Sequence, residues 1–294
     1  MKKIIFKIIE FLKEPYKLLL FLDNKKILRL DDKFYLKLMY KKNFNTDLNL
    51  ENPKTFNEKM QWLKLYDRNE KYSLMVDKYE AKNYVKKIIG EEYIIPTIDV
   101  WNKFEDIDFS KLPQKFVLKC THDSGGLVIC RNKKDLNYKD VKKRIKKSLQ
   151  KNFFYSFREW PYKNVKPRII AEKYMENSGF KDLVDYKFFC FNGEPKFIYV
   201  SSGLENHSTA RIDFLDINYE KVGFKRKDYR SFDEIPAKPK NFEKMKELAA
   251  CLSKDITFLR VDFYEIEGKI YFSELTFFPC AGYVPFDPEE YDKN

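Results

Sequence analysis

The sequence predicts an α+β protein, a helical N-terminal region followed by segments built mainly from β-hairpins. Apolar residues recur at helical spacing up to Gly90, after which the period shortens towards two. The dipeptides Asn192-Gly193 and Glu267-Gly268, and the pair Gly125-Gly126, lie between strand-like runs, where residues that tolerate positive φ turn antiparallel pairs. With 294 residues, 44% hydrophobic and 17% aromatic, the chain has material for a large core, which excludes disorder as its main state although 35% is charged.

At the N-terminus, Ile4, Ile5, Ile8, Ile9, Phe11 and Leu12 recur at near-helical spacing with Lys2, Lys3, Lys7 and Lys13 between them. Residues 1–30 hold eight basic and three acidic side chains, 8 − 3 = +5. Two readings stand: a helix contacting an anionic membrane surface or a biosynthetic complex, and a helix packed on its own domain. From Asp31 to Asp67 the pattern stays helical. Thr55 with Glu58 three residues later forms a capping-box pattern that opens a helix through Trp62 and Leu65. A further helix is expected from Leu74 through Tyr84 to Ile89, stopped by Gly90 in the left-handed α conformation. Tyr93 to Pro96 and Thr97 to Val100 read as short strands and Pro113 to Cys120 as a longer one, joined by the loop Thr121 to Gly126 to the strand Leu127 to Cys130.

Val141, Ile145 and Leu149 give Lys139 to Lys151 a helical inward stripe with lysines outside it, a pattern that a solvated surface face explains. Arg168 to Met175 reads as a strand, Asp185 to Val200 as a hairpin turning at Asn192-Gly193, and Phe242 to Leu252 as a helix. The last hairpin runs Phe258 to Tyr264 and returns Ile270 to Thr276.

Charge and rare residues bound the chemistry. Lys plus Arg minus Asp plus Glu is 57 − 45 = +12, and only ten of the cations are Arg, which predicts an anionic partner without choosing its class. Two His, His122 and His207, and five scattered Cys assemble no zinc-ligand spacing. The Cys count is odd, no C-x-x-C occurs, and Cys190 sits between Phe189 and Phe191, a pattern of reduced, buried thiols in a cytosolic protein. Lys7, Glu10, Lys13 and Glu14 interrupt the N-terminal apolar residues, so no signal peptide is expected, and Leu18 to Leu22 falls far short of the roughly 20 residues a bilayer span needs. The expected location is cytoplasmic, with a peripheral place at the inner face of the membrane left open by the first helix.

The last hairpin carries the most chemistry. In a strand, residues two apart share a face, so Arg260 and Asp262 point the same way, as do Glu274 and Thr276. If the turn at Gly268 sets the register, Asp262 and Glu274 lie nearly opposite, where a cation or proton relieves their repulsion. Oxygen donors without His or Cys suit Mg²⁺ or Mn²⁺, while a solvent-facing polar sheet surface accounts for the same spacing. Lys119 ends a strand just before the glycine-containing loop, where an ammonium and backbone N–H groups can cradle phosphates, although a plain polar hairpin tip has this look too. The loop fits neither the Walker pattern nor G-x-G-x-x-G.

Taken in order, these segments resemble the ATP-grasp superfamily and, within it, the TupA-like branch named for teichuronic acid synthesis. The matching residues are Asp77-Lys78 before a helix, Phe116 to Lys119 with Gly125-Gly126, Glu172 to Met175, Asp185 to Gly193, and Arg260-x-Asp262 with Glu274-x-Thr276. The resemblance implies two α/β lobes with antiparallel sheets clasping ATP behind a helical N-terminal region, divided here as 1–75, 76–175 and 176–294. It implies that Lys78 and Lys119 contact ATP phosphates and that the loop with Ser124, Gly125 and Gly126 closes over them. Glu172, Lys173 and Met175 would form the adenine hinge, with Asp182 or Asp185 on the ribose. Asp262, Glu274 and Thr276 would hold Mg²⁺ or Mn²⁺, with Thr276 standing where many relatives have Asn. Arg260 would steady the transferred phosphoryl group or the oxyanion that follows. Lys187, on the face of Asp185, is either a further phosphate or substrate contact or a surface ion pair.

The reaction so implied is attack of a substrate carboxylate on the ATP γ-phosphate, giving an acylphosphate that an amine displaces. The carboxylate belongs to a sugar or an amino acid used in bacterial surface polysaccharide synthesis. Two alternatives come from other features. Asp106-Ile107-Asp108 matches the D-x-D pattern of a metal-dependent glycosyltransferase, and the +12 charge with the lysine-rich helix fits nucleic-acid binding, against which stand the low Arg count and the absence of RRM, KH and helix-turn-helix signatures.

Overall fold

The computed structural model describes residues 11–176, 183–204 and 208–293. The expectations placed on Ile4 to Ile9, on Asp182 and on His207 lie outside the described residues. The first helices are α1 (Pro15–Asn24), α2 (Asp32–Phe44) and α3 (Phe56–Tyr66). Each starts where its sequence supplies a start signal. Pro15 opens α1, the Asp31 side chain accepts from Phe34 N at the head of α2, and Thr55 and Glu58 form the full capping box of α3. Leu20, Tyr35, Leu36 and Tyr40 pack with Ala281 and Tyr283 from the far end of the chain.

The helix expected from Leu74 to Ile89 is two helices, α4 (Lys71–Val76) and α5 (Glu80–Ile89). Asp77 between them is extended at ψ 116°, and its Oδ1 accepts from Tyr79 N at 2.9 Å and Glu80 N at 3.1 Å, capping the second helix. Lys78 N then donates to Thr121 O at 3.0 Å, which ties the break to the glycine-containing loop. Gly90 has φ 117° and ψ 160°, a positive-φ extended stop and not the left-handed α cap expected. The strand expected over Tyr93 to Pro96 is a 3₁₀ turn at Glu91–Tyr93 followed by one isolated bridge from Ile94 to Phe272.

The next segment forms a four-stranded antiparallel sheet from β1 (Thr97–Trp101), β2 (Phe116–Cys120), β3 (Leu127–Cys130) and β4 (Ile169–Lys173), in the order β1-β4-β2-β3. Between β3 and β4 lie α6 (Tyr138–Leu149) and the short α7 (Phe154–Phe157). One sheet face is the core, where Phe116, Leu118, Cys120, Val128, Ile169 and Ala171 meet Val141 and Ile145 of α6. Val141 and Ile145 are the first two positions of the stripe read from the sequence.

A second antiparallel sheet, in the order β10-β9-β5-β6-β7, contains β5 (Val184–Phe191), β6 (Glu194–Ser202), β7 (Arg211–Asp216), β9 (Phe258–Ile266) and β10 (Lys269–Thr276). Two-residue strands β8 (Lys225–Arg226) and β11 (Phe286–Asp287) pair beside it. Both hairpin turns use the predicted dipeptides, with φ 49° and 83° at Asn192 and Gly193 and 51° and 74° at Glu267 and Gly268. Helix α8 (Phe242–Ser253) covers one face, setting Phe242, Met245, Ala249 and Leu252 against Phe188, Cys190, Val261 and Phe263. Each such fully buried large side chain contributes about 1.5–3 kcal/mol of transfer free energy. No helix among the described residues is long and apolar enough to cross a membrane.

Candidate functional site

Alternation along the strands decides what the sheet faces turned away from α6 and α8 carry. Val117 and Lys119 point away from the α6 side, and so do their partners Glu172, Ile170, Ile129 and Leu127. Glu172 is buried there between two ammoniums. Its Oε2 lies 2.6 Å from Lys119 Nζ, and its Oε1 pairs with Lys82 Nζ. Lys82 also donates to Ile95 O at 2.8 Å and to Thr97 Oγ1 at 3.0 Å. Burial opposes ionisation of Glu172, but Lys119 and Lys82 outweigh it and hold the carboxyl down at about 2. The lysines divide. Burial lowers the pKa of Lys82 despite Glu172, whereas for Lys119 the attraction of Glu172 overcomes burial and raises it.

On the second sheet, Asp185, Lys187, Arg260, Asp262, Tyr264, Glu274 and Thr276 occupy the face away from α8. Arg260 forks Asp262, Nε to Oδ1 at 2.7 Å and Nη2 to Oδ2 at 2.6 Å, and donates to Thr276 Oγ1 at 2.9 Å. Lys187 Nζ bridges Asp185 Oδ1 at 3.0 Å and Asp262 Oδ2 at 3.3 Å. Burial pushes the Asp185 carboxyl up, against the pull of Lys187. Lys187 is itself buried, so the surface ion pair entertained from the sequence is a buried one. Asp262 stands directly opposite Glu274, because a bulge between Phe272 and Glu274 absorbs Ser273.

The loop between β2 and β3 closes this space from the side. Lys78 Nζ donates to Asp123 O at 2.7 Å and lies 3.5 Å from Glu274 Oε1. Asp123 Oδ1 accepts from Gly126 N at 3.0 Å, its Oδ2 accepts from Ser148 Oγ, and Ser124 at the tip is exposed. The two glycines differ. A Cβ on Gly126 would lie 2.5 Å from Cys120 Sγ, so packing requires that glycine; a Cβ on Gly125 would meet only Asp123 Oδ2 at 3.6 Å.

Two joined cavities fill the space between the sheets. One, of about 330 Å³, has apolar walls from Ile95, Val117, Leu127, Ile129, Met175 and Leu204, with Lys173 along its edge. The other, of about 250 Å³, is lined by Lys78, Lys82, Ser124, Gly126, Lys187, Asp262 and Glu274. Lys119, Leu127, Glu172, Asp185 and Tyr264 line both. The first has the dimensions and apolar lining of a small-ligand pocket, and its neighbour concentrates cations able to meet phosphate oxygens. For a divalent cation the donors are hard oxygens from Asp262, Glu274 and Thr276, and no group of three or more His, Cys, Asp or Glu is placed for a metal among the described residues. That set suits Mg²⁺ in its usual mode of one or two carboxylates completed by phosphate oxygens and water. Glu274, 37% exposed, is the more open of the two carboxylates.

Lys78, Lys119, Ser124, Gly126, Glu172, Lys173, Met175, Lys187, Asp262 and Glu274 all line these cavities; Arg260 and Thr276 join Asp262 behind them. The Glu172 carboxylate is taken up by two lysines, and Lys173 N donates to Pro96 O at 3.0 Å, while Lys173, Tyr174 and Met175 line the apolar cavity. Asp106 and Asp108 sit in an exposed turn, where Asp108 Oδ1 accepts from Ser110 N and Oγ, and they line neither cavity. Lys82 and Asp123 were missed. Lys82 follows Lys78 by four residues, a helical spacing that hints at a shared face, but nothing near it in the chain announces Glu172.

Comparison with known proteins gives one family match: the model described as TupA-like ATPgrasp covers residues 58–294. No curated protein matches. Among solved structures, the chain is similar to D-alanine–D-alanine ligase from Bacillus anthracis complexed with ATP, at 17% identity and TM-score 0.39, over 70% of this chain and 54% of that one. It is similar to D-alanine–D-alanine ligase from Helicobacter pylori at 17% identity and TM-score 0.42, over 78% and 64%. It is also similar to N5-carboxyaminoimidazole synthetase from Staphylococcus aureus at 16% identity and TM-score 0.36, over 70% and 45%. The chain thus spans roughly half the length of these structures.

Proposed function

The chain belongs to the TupA-like ATP-grasp family, and from that premise we propose that it is an ATP- and Mg²⁺-dependent ligase that activates a carboxylate and joins it to an amine. The observation that carries the reading is the pair of joined cavities, apolar at one end and cation-rich at the other, with Asp262 and Glu274 in register at the polar end. In this reading the adenine lies among Val117, Leu127 and Ile129, with its edge read by the backbone of Lys173 to Met175. Lys78, Lys119 and the loop Ser124 to Gly126 hold phosphates, and Asp185 is within the cavity as the carboxylate for the ribose. Mg²⁺, when held by Asp262 and Glu274 with Thr276 beside them, would neutralise phosphate charge. Arg260 orients Asp262 and Thr276 and presents a fixed guanidinium to charge that develops on the substrate. Such chemistry depends on positioning and charge neutralisation and needs no nucleophilic side chain.

We extend the proposal to a carboxylate-bearing sugar or amino acid of surface polysaccharide synthesis, on the strength of the TupA-like family name alone. A membrane-surface contact of residues 1–30 is supported by their +5 charge and by Leu12 and Ile27, which are 77% and 71% exposed. The test of the ligase reading is Mg-ATP turnover in the presence of uronates and amino acids. ADP release that requires both a carboxylate and an amine, and that Asp262→Ala abolishes, is the expected outcome. Release of no ADP with any of them would overturn it.

A further inference from the structure

Past Asp262, the same face of the second sheet leads into a smaller recess. Here Arg260, forked to Asp262 on one side, meets Arg226 of β8 and Cys280 over a floor of Phe189, Tyr199 and Phe214, around a cavity of about 30 Å³. That volume admits a single small group and not a ring.

Arg226 is a held side chain. Its Nε donates to Asp228 Oδ1 at 2.8 Å, its Nη2 to Asp228 Oδ2, and its guanidinium lies 5.0 Å from the centre of the Tyr229 ring. Its Nη1 points the other way. The acceptors it meets among the described residues are Cys280 Sγ at 2.9 Å and Tyr199 Oη at 3.4 Å. A thiol is a weak acceptor and a long phenol contact a poor one, so while Asp228 takes Nε and Nη2, the Nη1 donor faces the recess with no anionic oxygen of its own.

The backbone that presents Cys280 is constrained as well. Cys280 and Ala281 have φ 50° and 55°, left-handed values that non-glycine residues rarely adopt, and Gly282 follows at 63°. Gln61 Nε2 donates to Gly282 O at 2.8 Å, and the buried Lys64 Nζ donates to Ala281 O at 2.8 Å and to Phe157 O at 3.0 Å. Strain of this kind persists where the surroundings over-determine it, and such places cluster at ligand clamps.

We propose that the recess between Arg226, Arg260 and Cys280 receives the carboxylate of the substrate. Arg226 Nη1 supplies a charge-assisted hydrogen bond, Arg260 links the bound group to Asp262, and the size of the recess admits the carboxylate while leaving the remainder of the molecule outside. Calling that carboxylate the substrate's rests on the ligase reading; the preference of the recess for a small organic anion stands apart from it.

Two exposed thiols make the test internal. Cys280 and Cys251 are exposed, whereas Cys120, Cys130 and Cys190 are buried. Iodoacetate and iodoacetamide alkylate by the same displacement: the thiolate sulfur forms the S–C bond, the C–I bond breaks, iodide leaves with the electron pair, and the thiol proton goes to solvent. They differ in that the first carries a carboxylate. The ratio of the two rates at each Cys, followed by peptide mass spectrometry, cancels the intrinsic nucleophilicity of that thiol. The ratio at Cys280 is expected to exceed that at Cys251 by about tenfold, the bias that one charge-assisted hydrogen bond from a fixed Nη1 gives an anion. Arg226→Gln should bring the two ratios together, and Arg226→Lys should retain part of the bias. Equal ratios in the unaltered protein would overturn the proposal. If the bias holds while no carboxylate elicits ADP release, the ligase reading fails and the anion recess stands. If turnover is found, Arg226→Gln should raise KM for the carboxylate at least about tenfold while the affinity for Mg-ATP is unchanged; an unchanged KM would remove the recess from substrate binding.

Discussion

Glu172→Gln is expected to destabilise the protein by about 3 kcal/mol, and two independent lines give that size. The substitution keeps the shape of the side chain and removes the one anion lying between Lys82 and Lys119, whose side chains are 10% and 26% exposed. Breaking a buried pair by deleting one partner costs about 3–5 kcal/mol, and Lys119, the more exposed, can rehydrate in part, which favours the lower end. Linkage gives the second line. The carboxyl falls from 4.5 in a free chain to about 2 in the fold; 4.5 − 2 = 2.5 units, at about 1.4 kcal/mol each, correspond to roughly 3–4 kcal/mol, the same size. The sign is fixed by the depressed value. Between pH 4.5 and 2 the unfolded chain binds the proton more readily, so this stability is complete above about pH 4.5 and is lost as the pH falls towards 2.

Urea unfolding from pH 7 down to 3 therefore distinguishes the two proteins twice. At pH 7 the variant should unfold with a free energy lower by about 3 kcal/mol, and below pH 4.5 the gap should shrink as the unaltered protein loses what the variant never had. Saturating Mg-ATP should narrow the gap at pH 7, because phosphate oxygens would then face the Lys119 ammonium. A variant within about 0.5 kcal/mol of the parent at pH 7, or a gap that persists unchanged to pH 3, would refute the assignment of Glu172 as the counter-charge of both lysines.

The two loop glycines should separate stability from binding. Gly126→Ala forces a Cβ to within 2.6 Å of both Cys120 and Ser148 atoms, so its urea midpoint should fall, whereas Gly125→Ala should melt like the parent and lose Mg-ATP affinity in calorimetry. Lys187→Met leaves Asp185 and Asp262 facing each other with Arg260 on Asp262 alone. It should cost about 3 kcal/mol at neutral pH, with part recovered as the pH falls because the Asp185 carboxyl, already raised by burial, takes a proton more readily in the fold than in the unfolded chain; denaturation across the acid range reads it. Deleting residues 1–13 should reduce co-sedimentation with phosphatidylserine vesicles at low salt while leaving Mg-ATP affinity unchanged; equal sedimentation would remove this segment from membrane contact.

Much of the fold was legible because its signals are local. A capping box needs only Thr55 and Glu58, and a tight hairpin turn needs only two residues able to hold positive φ, as Asn192-Gly193 and Glu267-Gly268 do. The candidate site was legible in part for the same reason: period-two alternation puts Arg260 with Asp262 on one sheet face whatever lies beyond. The misses were interactions that span the chain. The break at Asp77 is fixed when Lys78 N bonds Thr121 O, and Lys82 gains its place from Glu172, ninety residues on. The Lys187 ammonium is buried because Asp185 and Asp262 both meet it.

The register of the last hairpin shows the division most clearly. The turn at Gly268 alone counts Ser273 opposite Asp262, which would turn Glu274 towards the core beside Val261. The folded chain absorbs Ser273 in a bulge, so Phe272 stays in the core opposite Phe263 while Glu274 comes round to Asp262. By itself, the sequence determined the residue types, the turns and the alternation that place Lys119, Asp262 and Glu274 on strands, since these follow from backbone sterics over a few residues. Only the tertiary structure decided which face of the cleft each reached, because burial of the aromatic core on one side of the sheet sets the register for the charges on the other.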